Sequence, residues 1–126
     1  MGRLDGRVAF VSGGARGIGA AIARAFVAEG ASVMLGDLRV EQAEKLAAEL
    51  GDRGACLGLD VTDERSWADA MAATVDRFGA LHVLVNNAGI AEGAPLVETT
   101  LESWQRVIDV NQTGVFLGMR AAIEPM

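Results

Sequence analysis

The chain has 126 residues and a formal net charge of −6 at pH 7, and 51% of its residues are hydrophobic while 22% are charged. This size and composition predict one packed domain over residues 1–126 and exclude a disordered protein. The 11 basic residues are scattered and outnumbered by 17 acidic ones, so nucleic acid is not expected as a partner.

Four short apolar segments recur along the chain and are predicted to be β-strands. They are VAFV (8–11), SVML (32–35), ACLGL (55–59) and LHVLV (81–85). Because these segments are apolar on both faces, they are typical of parallel strands that helices cover on both sides.

Amphipathic segments separate the strands and are predicted to be three helices, which end at Gly30, Gly51 and Gly79. Thr62 is the expected cap at the start of the third helix. The apolar residues with helical spacing are Ile18, Ile22, Ala25 and Phe26 in the first helix, Ala43, Leu46, Ala47 and Leu50 in the second, and Trp67, Met71, Thr74, Val75 and Phe78 in the third.

A fourth predicted helix runs nearly to the end of the chain, and Thr99 and Glu102 have the spacing of a capping box at its start. Gly114 and Gly118 in this helix favour either close packing inside the protein or contact with another subunit. Its apolar residues are Trp104, Val107, Ile108, Val115, Met119 and Ala122. Strands and helices alternate throughout, which predicts an α/β fold of the Rossmann type: a doubly wound parallel sheet with strand order 3-2-1-4.

Glycines cluster where the first strand meets the first helix, in the segment SGGARGIG (12–19). Gly13 would permit a tight exit from the strand, Gly17 would let the backbone approach a pyrophosphate, and Gly19 would allow the helix to pack closely on the sheet. The N–H groups and dipole at the helix start would then hold phosphates. Such glycines are equally compatible with a simple turn, but their position between a strand and a helix favours a nucleotide-binding loop.

Asp37 follows the second strand, at the carboxyl edge of the predicted sheet. An acidic side chain there accepts hydrogen bonds from a ribose 2′-OH and repels a 2′-phosphate, which favours NAD over NADP. A helix cap is the alternative role for this aspartate. Arg16 and Arg39 would partly offset the repulsion of a phosphate.

Two further polar segments come at the carboxyl ends of strands. Asp60 follows the third strand, and VNNAG (85–89) closes the fourth. Each alone is more typical of a turn or loop. Their order along the chain indicates an edge of the sheet that binds a ligand.

The compartment is suggested by the N-terminus and by the single cysteine. The segment MGRLDGRVAFVSGG contains no apolar stretch long enough for a signal peptide, and no membrane segment is expected. Cys56 cannot form an intrachain disulfide, and its apolar surroundings favour an unreactive buried thiol. His82 and Trp67 are interpreted as a strand-end residue and a core residue, and no metal site is expected. We therefore expect a cytoplasmic protein.

Together these motifs resemble the short-chain dehydrogenase/reductase family: SGGARGIG (12–19), Asp37, DV (60–61), NNAG (86–89) and VNQTGVF (110–116). The resemblance implies that Asp60 and Val61 contact an adenine and that Asn87, Ala88 and Gly89 line the cofactor cleft. It further implies a cofactor-binding segment containing Ser12, Gly13, Arg16, Gly17, Ile18 and Gly19. Ser12 replaces the threonine that is usual in the family and keeps the hydroxyl.

The resemblance also implies a role for Asn111, a polar residue in an apolar helix. In the family the matching asparagine lies at a distortion of this helix and holds a water that links a catalytic lysine to solvent. A tyrosine is the general acid and base, the lysine lowers its pKa, and a serine polarises the substrate carbonyl. Satisfaction of the amide by nearby backbone is the alternative interpretation.

Those three catalytic partners have no counterpart in the 126 residues. The chain contains no tyrosine, its sole lysine is Lys45 on the second helix, and no serine follows Ser103. In the family the missing residues come after the element that ends here at Met126. The chain is therefore expected to be the N-terminal half of an enzyme and to be inactive by itself.

The resemblance implies an NAD-dependent dehydrogenase or reductase that acts on a small alcohol or ketone and forms a homo-oligomer when it is full length. The last helix is most similar to those of hydroxysteroid and secondary-alcohol dehydrogenases. A 3-oxoacyl-carrier-protein reductase and a non-catalytic nucleotide-binding or interaction module remain as alternatives. Because the fourth strand would be an exposed edge, we expect residues 1–126 alone to be poorly soluble or loosely folded.

Overall fold

A four-stranded parallel sheet with helices on both faces forms the centre of the structure, which is a computed structural model and describes residues 2–126. The strands are β1 (Val8–Ser12), β2 (Ser32–Asp37), β3 (Gly54–Gly58) and β4 (Val83–Val85). The helices are α1 (Gly17–Ala28), α2 (Val40–Leu50), α3 (Glu64–Phe78), α4 (Leu101–Ile108) and α5 (Gly114–Ala122). A π-helical turn (Asp109–Thr113) joins α4 directly to α5, and short 3-10 turns occupy Gly51–Arg53 and Leu96–Glu98.

The strand order is β3-β2-β1-β4, which confirms the predicted order 3-2-1-4. All three strand pairs are parallel, and Phe10 of β1 is in register with Met34 of β2 and Leu84 of β4. The four carboxyl ends therefore share one edge of the sheet. Strands β1 and β2 are buried on both faces as predicted, whereas the edge strands β3 and β4 are largely half-buried.

Side chains of the two central strands alternate between two hydrophobic clusters, one on each face of the sheet. Phe10 points to the face covered by α3 and α5, while Ala9 and Val11 point to the face covered by α1 and α2. The Phe10 and Trp67 rings pack with centroids 5.6 Å apart. Trp67 is 1% exposed, and its indole N–H donates to the Val61 carbonyl at 3.0 Å. Full burial of a large side chain contributes about 1.5–3 kcal/mol, so this pair stabilises the cluster beneath α3 and α5.

Two predicted helix caps are one residue away from the real ones. Asp63, not Thr62, caps α3, and its carboxylate accepts from the Arg65 N–H at 2.8 Å. Thr100, not Thr99, caps α4, and its hydroxyl accepts from the Ser103 N–H at 3.0 Å. In each case the neighbouring threonine is used elsewhere: Thr62 donates to Asp60 and Thr99 donates to the Pro95 carbonyl.

The apolar residues with helical spacing in α1 are not the ones that the helix buries most deeply. Ile18 is 73% exposed and Ala25 is also exposed, while the buried residues are Gly19, Ala20 and Ala23. The residues of α1 that face the sheet are small, because the helix packs closely against the sheet.

The apolar residues predicted on one side of the last helix are only partly buried. Trp104 and Met119 are 53% and 52% exposed. The buried residues of α5 are Gly114, Leu117, Gly118 and Ala122. Gly114 and Gly118 pack inside the protein, because a Cβ atom on them would lie 2.9 Å from the Val61 side chain and 2.7 Å from the Trp67 ring, respectively.

Candidate functional site

The loop between β1 and α1 presents backbone N–H groups at the carboxyl edge of the sheet. Gly13 and Gly17 adopt left-handed conformations, with φ angles of 65° and 58°, which only glycine adopts without strain. The Gly13 N–H donates to the Gly36 carbonyl at 2.7 Å, so the loop is tied to the end of β2. Within residues 2–126, no side chain caps α1 and no acidic residue occupies its first turn. An anion fits this helix start, because N–H groups and the positive end of the dipole converge there.

Gly19 brings α1 against the loop as the sequence predicts. A Cβ atom at Gly19 would lie 2.2 Å from the Gly13 carbonyl oxygen and 2.7 Å from Asn87 Nδ2. By contrast, a Cβ atom at Gly17 would have no neighbour within 4 Å, so open space lies beside its backbone. The loop is therefore dense on its inner side and open on its outer side.

Ser12 and Asn87 join the ends of β1 and β4. The Ser12 hydroxyl is buried and accepts from the N–H groups of Asn87 and Ala88, both at 3.0 Å. In return, the Asn87 amide donates to the carbonyls of Ser12 and Gly13, both at 3.1 Å. These four hydrogen bonds hold the NNAG segment beneath the glycine-rich loop. Loss of the Ser12 oxygen would leave the Ala88 N–H without a partner, whereas the Asn87 N–H also donates to the Val85 carbonyl at 3.0 Å.

Asp37 lies at the end of β2 and is only 5% exposed. Its Oδ2 accepts from the Ala15 N–H at 3.0 Å, and its Oδ1 accepts from the Arg39 N–H at 2.9 Å and lies 3.7 Å from the Arg39 guanidinium. It is not a cap of α2, because its partners are the glycine-rich loop and the residue before that helix. The carboxylate thus carries negative charge at the rim of the groove and braces the loop.

A cleft next to Asp37 collects the predicted site residues from several elements. It encloses about 530 Å³ of space, including its open mouth, and is lined by Gly13, Asp37, Asp60, Val61, Ala88 and Gly89 among others. The groove continues past Arg16, Gly17 and Asn87. Asp60 also forms a turn of its own, because its Oδ1 accepts from both the N–H and the hydroxyl of Thr62.

Three predicted residues do not line this groove directly. Ser12 and Gly19 are buried beneath it, where they shape the loop. The Ile18 side chain projects to the surface and is 73% exposed. Its neighbours in the loop, rather than Ile18 itself, border the groove.

Asn111 lies in the π-helical turn and is exposed. Its Oδ1 accepts from the Ile90 N–H and its Nδ2 donates to the Ile90 carbonyl, both at 2.8 Å. The amide is therefore matched to the backbone directly after the NNAG segment. The π-helical turn is the helix distortion that the family resemblance implies at this position.

Sequence reasoning missed two residues beside the groove, Ile90 and Glu92. Ile90 lines the cleft and is held by Asn111. Glu92 receives a hydrogen bond from the Ser103 hydroxyl and an ion pair from Arg106. Ile90 follows NNAG directly, which is a usable signal. Nothing in the sequence connects Glu92 to residues 11 and 14 positions later.

The remaining chemically active side chains lie away from the groove. Cys56 is half-buried on β3 rather than fully buried, and burial, with a smaller effect from Glu44, raises the pKa of its thiol. The His82 Nδ1 accepts from the Val8 N–H at 2.9 Å beside β1. Among residues 2–126, no group of three or more His, Cys, Asp or Glu side chains is placed to hold a metal ion. Over the same residues, every helix is too short or too polar to cross a bilayer.

Comparisons of this sequence with a family model and with known proteins all indicate the same family. The sequence model described as short chain dehydrogenase matches residues 7–126. A 3-alpha-(or 20-beta)-hydroxysteroid dehydrogenase of Mycobacterium tuberculosis is 54% identical over 125 residues, which are 99% of this chain and 48% of that protein. A sorbitol dehydrogenase of Cereibacter sphaeroides is 44% identical over 124 residues, or 98% of this chain and 48% of that protein.

A crystal structure shows the same likeness. It is a short-chain dehydrogenase/reductase from Brucella melitensis, described as a glucose/ribitol dehydrogenase, and it superposes with a TM-score of 0.94 at 33% identity, covering 98% of this chain and 54% of that one. The chain thus spans about half the length of the curated relatives it matches. Because the family match extends over nearly all of its residues, the chain belongs to the short-chain dehydrogenase family, whose members are oxidoreductases.

Proposed function

We propose that this chain is the nucleotide-binding part of an NAD-dependent alcohol dehydrogenase or ketone reductase of the cytoplasm. The observation that carries the proposal is the Asp37 carboxylate, which is 5% exposed and held at the rim of the groove by the Ala15 and Arg39 N–H groups. A fixed negative charge at this place accepts ribose hydroxyls and repels a 2′-phosphate.

The residues of the groove fit the parts of a dinucleotide. The N–H groups at the start of α1 would hold the pyrophosphate, Asp37 the adenosine ribose, and Asp60 with Val61 the adenine. The bound nicotinamide would supply hydride transfer. Asn87, Ala88 and Gly89 would form one wall of the groove, and Asn111 would fix the backbone of Ile90 beside it.

The proposed substrate is a small secondary alcohol or the matching ketone. The names of the relatives include a hydroxysteroid, a sorbitol and a 2,5-dichloro-2,5-cyclohexadiene-1,4-diol dehydrogenase, all of which act on hydroxylated carbon compounds. No tyrosine occurs in the 126 residues, so we propose that the acid/base group belongs to a part of the full-length enzyme beyond this chain. A 3-oxoacyl-carrier-protein reductase is less favoured, because Asp37 opposes the phosphate of NADPH.

We also propose that the full-length enzyme is a homo-oligomer. Apolar side chains of α5 and the residue after it face solvent, with Phe116, Met119 and Ile123 exposed by 51%, 52% and 72%. Exposed apolar surface of this kind is typical of an interface. A second copy of the chain is the expected partner.

A non-catalytic nucleotide-binding module is the second candidate function. It is favoured by the absence of tyrosine and by the position of Lys45 on α2, far along the chain from Asn111. Such a module would bind NADH, and the complete protein would not oxidise any alcohol with NAD. Turnover by the complete protein would contradict it.

The charge of Asp37 is expected to set the choice between the two cofactors. In the complete protein, Asp37→Asn should lower the ratio of NADH to NADPH affinity by about tenfold or more, because a repulsive charge worth roughly 1.4 kcal/mol is removed. Fluorescence titration with each cofactor measures the ratio. The ratio of the two affinities is informative, because a general disturbance of the loop would weaken the binding of both cofactors to the same extent.

The matched control is Asp76→Asn, an exposed position on α3 that lies outside the groove. This variant should bind both cofactors as the parent protein does. An unchanged ratio in Asp37→Asn would contradict the role assigned to Asp37, and a parent protein that binds neither cofactor would contradict the proposed function.

A further inference from the structure

Residues 89–95, here called the rim loop, separate two recesses of the protein. On one side, Gly89, Ile90 and Ala91 border the groove that begins at the glycine-rich loop. On the other side lies a second recess lined by Ala94, Leu96, Trp104, Val107 and Asn111 among others. The position of the rim loop therefore determines the shape of both recesses.

The rim loop has irregular structure, and each of its residues is exposed. Within residues 2–126, only Ile90 and Glu92 of this loop make polar contacts with the helix opposite. Ile90 is held through its backbone by Asn111. Glu92 is held through its side chain. Of these two residues, only Glu92 lies in the middle of the loop.

Glu92 is bound by two partners that lie one turn apart on α4. The Ser103 hydroxyl donates to Oε2, and the Arg106 guanidinium pairs with Oε1. The Glu92 side chain is 25% exposed, whereas that of Arg106 is 65% exposed. A charge-assisted contact made with both oxygens of a carboxylate restricts the side chain more than a single hydrogen bond does. The favourable energy of these two contacts offsets part of the entropy cost of ordering an exposed loop.

We propose that Glu92 is a positioning residue, which holds the rim loop against α4 and so keeps the wall of the groove in place for a dinucleotide. This inference rests on the proposed function, because it assigns the groove to NADH. Glu92 acts through the backbone of Gly89, Ile90 and Ala91 and does not itself line the groove. Asn111 holds the start of the rim loop, and Glu92 holds its middle.

The test compares Glu92→Gln with Glu102→Gln in the complete protein. Glu102 is an exposed residue on the same helix and makes no side-chain hydrogen bond or ion pair within residues 2–126. Glu92→Gln should weaken NADH binding by about fivefold, which corresponds to loss of one partly buried ion pair. Amide hydrogen exchange of residues 90–95, measured without nucleotide, should accelerate in the same variant. Glu102→Gln should change neither quantity.

A second variant separates positioning from general destabilisation. Arg106→Gln removes the partner of Glu92, so it should weaken NADH binding to the same extent, and the double variant should be no worse than either single one. If the losses of NADH affinity in the two single variants added up in the double variant, the proposal would be overturned. Faster exchange of the rim loop with unchanged NADH affinity would also overturn it, because Glu92 would then be structural only. Failure of the parent protein to bind NADH would instead refute the proposed function on which it rests.

Discussion

Gly19 shows how strongly one missing methyl group shapes the site. A Cβ atom there would meet the Gly13 carbonyl oxygen at 2.2 Å, which is far inside the contact distance of any pair of heavy atoms. The obstacle is backbone and not the end of a flexible side chain. The loop itself would have to move to accommodate even alanine.

Gly19→Ala is expected to weaken NADH binding by about tenfold or more, since a displacement of the loop that costs 1.4 kcal/mol has this effect. Titration of the complete protein with NADH measures it. Ala28→Ser is the matched control, because it also adds one heavy atom to α1 but at the exposed end of the helix opposite the loop. If the alanine at position 19 left binding unchanged, the proposed role of the loop would be wrong.

The sequence predicts the residue types of the site better than their contacts. The sequence predicts Asp37 at the carboxyl edge of the sheet, yet its hydrogen bond to the Ala15 N–H joins residues 22 positions apart and has no local signal. The same holds for Glu92 and Arg106. Asn111 could be identified as unusual because it interrupts an apolar helix, but its partner Ile90 depends on how the chain folds back.

At the scale of elements, α5 depends on small residues for its contact with α3. A Cβ atom at Gly118 would lie 2.7 Å from both the Trp67 ring and Asn86 Oδ1. The Trp67 ring cannot withdraw, because it is 1% exposed and packs against Phe10. Close packing therefore explains this glycine without any subunit contact.

Gly118→Ala should lower the free energy of unfolding by about 1–3 kcal/mol, which is the usual effect of overpacking a core. The sign of the change in the free energy of unfolding distinguishes the two effects. The higher helix propensity of alanine would by itself stabilise the protein by up to about 1 kcal/mol. Urea denaturation measures the change. Gln42→Ala, at an exposed position of α2, should alter stability by less than about 0.5 kcal/mol. Stabilisation by alanine at position 118 would show that α5 does not pack as described.

Strands and helices could be predicted because the chain alternates short apolar runs with amphipathic segments. All four strands and their order follow from that pattern. The helix caps were displaced by one residue because Thr62 and Asp63, and likewise Thr99 and Thr100, are adjacent candidates. Which of the two directly precedes the first turn of the helix depends on the path of the preceding loop.

At the scale of the whole molecule, apolar groups are exposed along an edge strand and on the C-terminal helical segments. Strand β4 is an edge of the sheet and only half-buried, and Leu101, Trp104 and Ile123 on the adjacent helical segments are exposed by 79%, 53% and 72%. An unprotected edge and an apolar surface both promote association. The sequence predicted the edge strand and assigned Trp104 to the apolar side of the last helix, where it is half exposed.

Residues 1–126 produced alone are therefore expected to self-associate or to unfold without a sharp transition. Size-exclusion chromatography with light scattering measures the mass, and a thermal scan measures the transition. Replacing Met119 and Ile123 by lysine should shift the chain towards the monomer, because it places charge on the exposed side of α5. Val75→Lys, on α3, should not. A native monomer that unfolds sharply and reversibly would contradict the prediction.

The hydrogen bonds between Ser12 and Asn87 have a consequence for the order in which the site assembles. They connect residues 75 positions apart in the chain. Contacts of such long range form late, because a large loop must close first. During synthesis, the glycine-rich loop leaves the ribosome long before the strand that gives it its shape. The glycine-rich loop thus takes its final shape only once β4 has joined the sheet, and under the proposed function a bound nucleotide would report that β4 is in place.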